Sequence, residues 1–269
     1  MRQYRRDLDL PEWRGFWHEA YFAVLGREET TDDPTRDVPN APAERDPDAA
    51  SLDLVTFAAG FLLLYLAADF VVANLASSTM PLPDASADLT QRWFADNPSA
   101  AVMIGVCQLL SVTCLGGFAV SVRQGAATAG QVHAARKATP WGLLAVACMA
   151  LSSLLGWLLT AFAAGASLDT VAALRTASFI AGGTAHVIAL GVFVLLASRI
   201  PGFGKPVRVF AIVAAVPAIA SLVSLAWFQG AALILLGRLL CIAWIISAAV
   251  SATRRLARGA WSCPTAGTG

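Results

Sequence analysis

The sequence predicts an all-α membrane protein whose main domain is a bundle of six transmembrane helices. Of its 269 residues, 57% are hydrophobic and 14% are charged, whereas about a quarter of the residues in a soluble domain are charged. The apolar residues are concentrated in six blocks of roughly 20 residues. A helix of that length crosses a hydrocarbon core of about 30 Å at about 1.5 Å per residue.

The six spans follow from where the apolar blocks begin and end, within a transmembrane domain of residues 53–252. Asn97 and Pro98 suit the N-cap and the first turn of the second span. Gln229 and Gly230 alone separate the fifth span from the sixth, which predicts a tight helical hairpin. The spans are placed at residues 54–76 and at about residues 100–122, 141–164, 174–197, 207–228 and 231–250.

The basic residues predict the orientation, because loops on the cytoplasmic side of a membrane carry an excess of Lys and Arg. Seven arginines precede the first span, whereas the side predicted to be non-cytoplasmic carries only Arg92 and Arg175. We therefore expect a multi-pass protein of the plasma membrane with both termini in the cytoplasm. The preference for Arg over Lys indicates a GC-rich bacterial genome. The basic residues of the cytoplasmic loops and tail are Arg123, Arg136, Lys137, Arg199, Lys205, Arg208, Arg254, Arg255 and Arg258.

The connection after the first span, residues 77–97, is the one sizeable feature predicted on the non-cytoplasmic side. Trp93 and Phe94 stand near its end, just before the second span. Large aromatic residues at such a place are typical of the aromatic belt at a membrane interface. We therefore expect both rings to lie among the lipid headgroups.

An amphipathic helix is predicted near the N-terminus, in residues 1–26, before an acidic, proline-rich linker over residues 27–52. Its apolar side chains recur at helical spacing. Two interpretations stay open: the helix lies in the membrane interface, or it docks on the protein's own cytoplasmic face or on a protein partner through residues 10–26. A basic cytoplasmic tail, residues 253–269, ends the chain. The aromatic residues expected to make the contact are Trp13, Phe16, Trp17 and Tyr21.

Two opposite charges are predicted to share one depth in the membrane. Asp69 lies about 10 Å from the far end of the first span, and Arg238 lies about 12 Å from the start of the sixth. A lone charge in lipid is costly, so we expect an ion pair that ties these two helices together. Tyr65, one turn from Asp69, could donate a further hydrogen bond. The pair is interpreted either as a static clamp or as a proton- or ion-responsive gate.

Further polar residues inside the spans predict a polar path or simple packing. Gln108 and His186 lie near the middle of the second and fourth spans, and Pro217 lies near the middle of the fifth, where it predicts a hinge or a packed kink. A lone intramembrane His does not provide bis-His haem ligation. Because no metal-binding spacing is present either, we expect no metal and no other cofactor.

The sequence predicts two classes of function. Catalytic signatures such as G-x-S-x-G and H-E-x-x-H are absent from usable contexts, so we expect no enzyme, and a net charge of +1 gives no field for nucleic acid. The favoured interpretation is a non-catalytic membrane component: a scaffold, sensor or subunit whose expected partner is the lipid bilayer. The alternative is a small-solute or ion/proton transporter or channel that uses Asp69, Arg238, Gln108 and His186. A polar cavity that reaches these residues would favour transport, and a dry interior would favour the component.

Overall fold

A computed structural model of the chain describes residues 47–128, 132–200 and 203–256. The described part is helical and contains no strand. It includes six helices that are long and apolar enough to span a membrane. The predicted fold class, an all-α bundle of six membrane-spanning helices, is therefore confirmed.

The predicted amphipathic N-terminal helix, with Trp13, Phe16, Trp17 and Tyr21, lies outside the described residues, and so does most of the linker and of the tail. Its docking on the membrane or on a partner stays a prediction. The final residues of the predicted linker are helical, because the first described helix already begins at Pro47.

The helices are numbered here in chain order. Between α5 and α6 the chain forms one π-helical segment, and two short 3₁₀ segments follow α7. The bounds are α1 (Pro47–Leu75), α2 (Ala87–Asp96), α3 (Pro98–Thr128), α4 (Val132–Phe162), α5 (Leu168–Phe179), the π segment (Ile180–Ala185), α6 (His186–Ala197), α7 (Lys205–Ala220), the 3₁₀ segments (Ser221–Leu225 and Phe228–Gly230) and α8 (Ala231–Leu256).

Most helices extend beyond the predicted spans. The third span was predicted to begin at residue 141, yet α4 begins at Val132 and includes Arg136 and Lys137. Hydropathy marks only the part of a helix that lies in hydrocarbon, whereas backbone hydrogen bonds continue through polar residues at the membrane surface. The number of spans is unaffected.

The six spans form a closed ring. Each span packs on the next one along the chain, and α8 returns to pack on α1. The fourth span, α5 to α6, is the most deeply buried: 56% of its most apolar window lies inside the bundle. In the core of the ring, the rings of Phe118 and Phe193 meet edge to face with their centroids 6.3 Å apart.

Short side chains let α6, α7 and α8 approach closely around Ala218 of α7. A Cβ added at Gly237 of α8 would lie 2.5 Å from the Ala218 Cα, and one added at Gly191 of α6 would lie 2.7 Å from the Ala218 Cβ. Real Cβ atoms are not found that close to a neighbour. Small residues at a helix interface are the usual way for membrane helices to gain dispersion contacts.

The short helix α2 covers one end of the ring, which we call the capped end; the opposite end is the basic end. Trp93 and Phe94 are buried, with 3% and 5% of their surfaces exposed, so the prediction that they form part of the aromatic belt is wrong. They pack on Leu159 and Val171, because α2 turns its apolar face onto the bundle. The Trp93 indole also donates a 3.0 Å hydrogen bond to the Ser78 carbonyl.

Candidate ligand-binding cavity

A cavity of about 340 Å³ lies at the capped end of the bundle. Its walls come from the loop before α2, from α2 itself, and from α3, α4, α5, the π segment and α8. The polar side chains among its lining residues are Thr90, Gln108, Ser152, Ser153, Arg175, Ser178 and Arg238.

The π segment forms part of the cavity wall through Gly182 and Gly183. Such segments are short, rare and frequent at functional sites. Here Gly182 allows it to lie against α4: a Cβ added at Gly182 would be 2.3 Å from the Ser152 Oγ. That hydroxyl also donates a 2.9 Å hydrogen bond to the Ser178 carbonyl, so α4 and α5 are joined by polar contacts beside the cavity.

Arg238 reaches the cavity from α8, about two turns into the membrane-spanning helix. One Nη of its guanidinium donates a hydrogen bond to the Gly182 carbonyl. The group also stands 5.6 Å from the centroid of the Tyr65 ring, a cation–π contact with α1. Among the described residues its Nε is a buried donor without a hydrogen-bond partner.

Arg175 holds the loop and α2 over the cavity. Its guanidinium donates to the carbonyls of Pro81 and Leu82 and to the Thr90 hydroxyl. Asp84, on the same loop, adds electrostatic attraction. The cap is thus bound to α5 through a charged group.

Two further contacts fasten the cap to the bundle. Gln91 of α2 donates to the carbonyls of Ala163 and Ala166, at 2.6 and 2.8 Å. The Asn97 Oδ1 accepts from the Ser77 backbone N–H at 2.6 Å. Asn97 therefore ends α2 and closes the loop, a role beyond the N-cap that the sequence predicts.

The predicted ion pair between Asp69 and Arg238 is not formed in this structure. The two helices are neighbours, as predicted, but Arg238 contacts Gly182 and Tyr65 instead. Asp69 is exposed on the surface of α1. The buried stripe of α1 passes through Phe61 and Ala68, and the next residue, Asp69, is turned by about 100° away from it.

The predicted polar path is divided. Gln108 does line the cavity with Arg238, and its Oε1 accepts a 3.2 Å hydrogen bond from the Ser153 hydroxyl. His186 does not line the cavity: it is buried in α6 with its Nδ1 2.8 Å from the Ala145 carbonyl oxygen, although it is close enough to Arg238 for the two side chains to interact electrostatically. Pro217 lies inside α7, which continues to Ala220; its role as a hinge stays a prediction.

The sequence did not single out Arg175, Ser152, Ser178 or the π segment. The sequence did mark Arg175 as unusual, because Arg175 and Arg92 are the two basic residues on the side predicted to be non-cytoplasmic. Arg175 also lies at the start of an apolar block. The serines gave no signal, since Ser is common in membrane helices and bonds readily to its own helix. The π segment depends on how α4 and α8 pack against the paired glycines.

The fold defines an integral membrane protein that crosses the bilayer several times. No protein-family model, curated protein or solved structure matches this chain.

Proposed function

We propose that this protein is a non-catalytic membrane component of the sensor type, which takes a small ligand into the cavity at the capped end. The observation that supports this is a cavity that combines polar donors with apolar walls. Ligand sites in proteins are concave, mostly apolar and furnished with a few convergent polar groups. The donors here come from different helices: Gln108 from α3, Ser152 from α4 and Arg238 from α8.

Occupancy of the cavity is suited to signalling, because the ligand would contact several elements at once. The loop and α2 form the roof, and Arg175 is their charged link to α5. The π segment and α8 meet through Arg238 and Gly182. A ligand that favours one arrangement of these elements shifts the population toward it by its difference in affinity.

Transport is the second candidate, and one observation favours it: the cavity reaches Gln108 and Arg238, two of the residues predicted to line a path. Toward the basic end, however, Val187, Leu190 and Phe193 of α6 are fully buried. Passage would require α6 to move, with the π segment or Pro217 as the places where the helices bend. The sensor needs no such movement.

Thiol labelling separates the two candidates. Gly156 lines the cavity, and a Cβ added there meets no atom within 4 Å, so Gly156→Cys should fold normally. The five native cysteines are first replaced by Ala or Ser. A membrane-impermeant thiol reagent is then applied to intact cells and to inside-out vesicles.

A sensor predicts labelling of Gly156→Cys only from the side of the capped end, and a transporter predicts labelling from both sides. Leu154→Cys is the matched control, because Leu154 is on the same helix with 49% of its surface exposed on the outside of the bundle. In lipid its thiol should stay unlabelled. A Gly156→Cys protein that resists the reagent from both sides would overturn both candidates.

A further inference from the structure

The charged side chains of the cavity are both cationic. Among the described residues that line it, Arg175 and Arg238 carry charge and none is acidic. Arg175 has Asp84 nearby. Arg238 forms no ion pair with a carboxylate in the described part of the chain, unlike Arg92, which pairs with Asp88.

The contacts of Arg238 leave part of its hydrogen-bonding capacity free for a ligand. A guanidinium offers five N–H donors in a planar fork, which matches the two oxygens of a carboxylate or phosphate. One Nη is directed at the Gly182 carbonyl. The other Nη has no hydrogen-bond partner among the described residues, whereas the Nε, also without a partner, is buried. A cation costs much less at membrane depth when an anion accompanies it.

We propose that the cavity binds a small organic anion with an apolar part, whose carboxylate or phosphate pairs with Arg238. This inference rests on the proposed function, since it names the class of ligand for the same cavity. A cationic ligand would be repelled by both arginines. A neutral ligand would leave the charge of Arg238 without a counter-ion.

The remaining walls define the rest of the ligand. Trp93, Phe94, Met149, Phe179 and Ile234 present aromatic and aliphatic surface to the cavity. A volume of about 340 Å³ is at the low end of the range for ligand sites, which begins near 300 Å³. The ligand is therefore a short chain or a single ring that carries one anionic group, or the corresponding part of an anionic lipid.

Binding is tested with the full chain in nanodiscs of neutral phosphatidylcholine. Octanoate, octanol and octylamine share one chain length and differ in the charge of the head. Calorimetric titration, corrected with empty nanodiscs, should show saturable binding of octanoate. Octanol and octylamine should bind at least about tenfold more weakly, because they lack the charge-assisted pair with Arg238.

Variants assign the effect to the cavity. Arg238→Gln should weaken octanoate binding by at least about tenfold. Arg238→Lys keeps the charge but loses the planar, forked guanidinium, so its affinity for octanoate should lie between those of the wild type and Arg238→Gln. Gly156→Leu should weaken binding by filling the space. Arg92→Gln is the matched control: it removes an arginine from the same end of the bundle, where 71% of its side chain is exposed, and it should leave the affinity within about twofold.

Replacing part of the phosphatidylcholine with phosphatidylglycerol identifies the source of the anion. Loss of octanoate binding in those nanodiscs means that a lipid headgroup occupies the site, and unchanged binding means that the ligand comes from water. Both results support an anion site. If Arg238→Gln does not fold, the three probes still show whether binding requires an anionic head, and Gly156→Leu still shows whether the ligand binds in the cavity.

Two results would overturn the inference. In the first, octanol binds as tightly as octanoate, and Gly156→Leu abolishes the binding of both. The cavity would then bind ligands without regard to charge, and the proposed function would stand without the anion. In the second, octanoate shows no saturable binding although Gly156→Cys is labelled. Absence of that labelling, by contrast, would remove the proposed function itself.

Discussion

Arg238 shows how a charge is kept inside a membrane protein without a fixed ion pair. An arginine at the centre of a membrane helix costs at least about 2.5 kcal/mol. Here the Gly182 carbonyl accepts from the guanidinium, and the Tyr65 ring offers the face of its π system. A cation–π contact contributes about 0.5–2 kcal/mol. These contacts offset much of the cost, and the adjoining cavity supplies room for an anion or for water.

The relation between Asp69 and Arg238 can be measured directly by a double-mutant cycle. We expect Asp69→Asn not to lower the free energy of unfolding, because Asp69 is exposed on α1 and removal of a charge at membrane depth is favourable. The coupling energy with Arg238→Gln should be below about 0.5 kcal/mol, as for residues that do not touch. Thermal unfolding in detergent gives both values. A coupling above about 1 kcal/mol would restore the ion pair predicted from the sequence.

Arg175 should be the main residue that holds the cap in place. Arg175→Gln removes hydrogen bonds to Pro81, Leu82 and Thr90, and hydrogen bonds to charged groups contribute about 1.5–3 kcal/mol each. Because the Gln side chain can still donate one or two hydrogen bonds, we expect a loss of at least about 2 kcal/mol of stability rather than the full sum, and faster hydrogen exchange of residues 77–86.

The control for that variant is Arg92→Gln, which breaks the exposed ion pair with Asp88. Exposed pairs contribute about 0–1 kcal/mol, so its effect on stability should be small and hydrogen exchange in the cap should not change. Equal effects of the two variants would show that Arg175 does not fasten the cap.

At the scale of elements, close packing around Ala218 fixes the positions of α6, α7 and α8. We expect Gly237→Ala to destabilise the protein by about 1–3 kcal/mol, the usual cost of overpacking, because the added methyl group meets the backbone of α7. Backbone atoms cannot turn away as a side chain can. Thermal unfolding in detergent measures the loss.

Gly116→Ala in α3 provides the comparison. Its added Cβ would lie 3.6 Å from the nearest side-chain atom, Val146 Cγ2, which is ordinary contact. Ala is the better helix former by about 1 kcal/mol, so this variant should be neutral or stabilised. If both substitutions had the same effect, close approach at Ala218 would not explain the packing.

The spans could be predicted from the sequence because their signal is a sum over about 20 residues. The faces of the helices could not. A membrane helix is apolar toward lipid and toward protein alike, so it lacks the period that marks the buried side of a soluble helix. For this reason the depth of Asp69 in the first span was readable, whereas its outward direction was not.

The cavity was partly predictable. Gln108 and Arg238 were identified because polar residues are conspicuous in apolar blocks. The role of Arg175 depends on α2 lying against the bundle, and that is decided by tertiary contacts such as those of Trp93 and Phe94. The same aromatic residues were expected at the lipid interface, because amphipathic rings suit that environment equally well.

At the scale of the whole molecule, the closed ring makes the two ends unlike. The capped end contains the cavity, which is covered by α2 and lined by Arg175 and Arg238. Below it, α6 is packed by fully buried residues such as Leu190 and Phe193. This asymmetry suits binding from one side, and it connects the function to the orientation of the chain in the membrane.

The orientation is the last prediction, and it follows from the number of spans together with the positive-inside rule. Six candidate spans in the described part of the chain predict that both chain ends lie on one side, and the Arg-rich loops predict that this side is the cytoplasm. Gly165 lies in the exposed turn between α4 and α5 at the capped end, and a Cβ added there meets no atom within 4 Å. In a cysteine-free background, Gly165→Cys should react with an impermeant thiol reagent on intact cells, whereas a C-terminal epitope should become accessible only after permeabilisation. If the epitope and Gly165→Cys were accessible from the same side, the number of spans between them would be even instead of three. If the epitope were accessible on intact cells and Gly165→Cys reacted only after permeabilisation, the orientation would be reversed, and a ligand for the cavity would have to come from the cytoplasm.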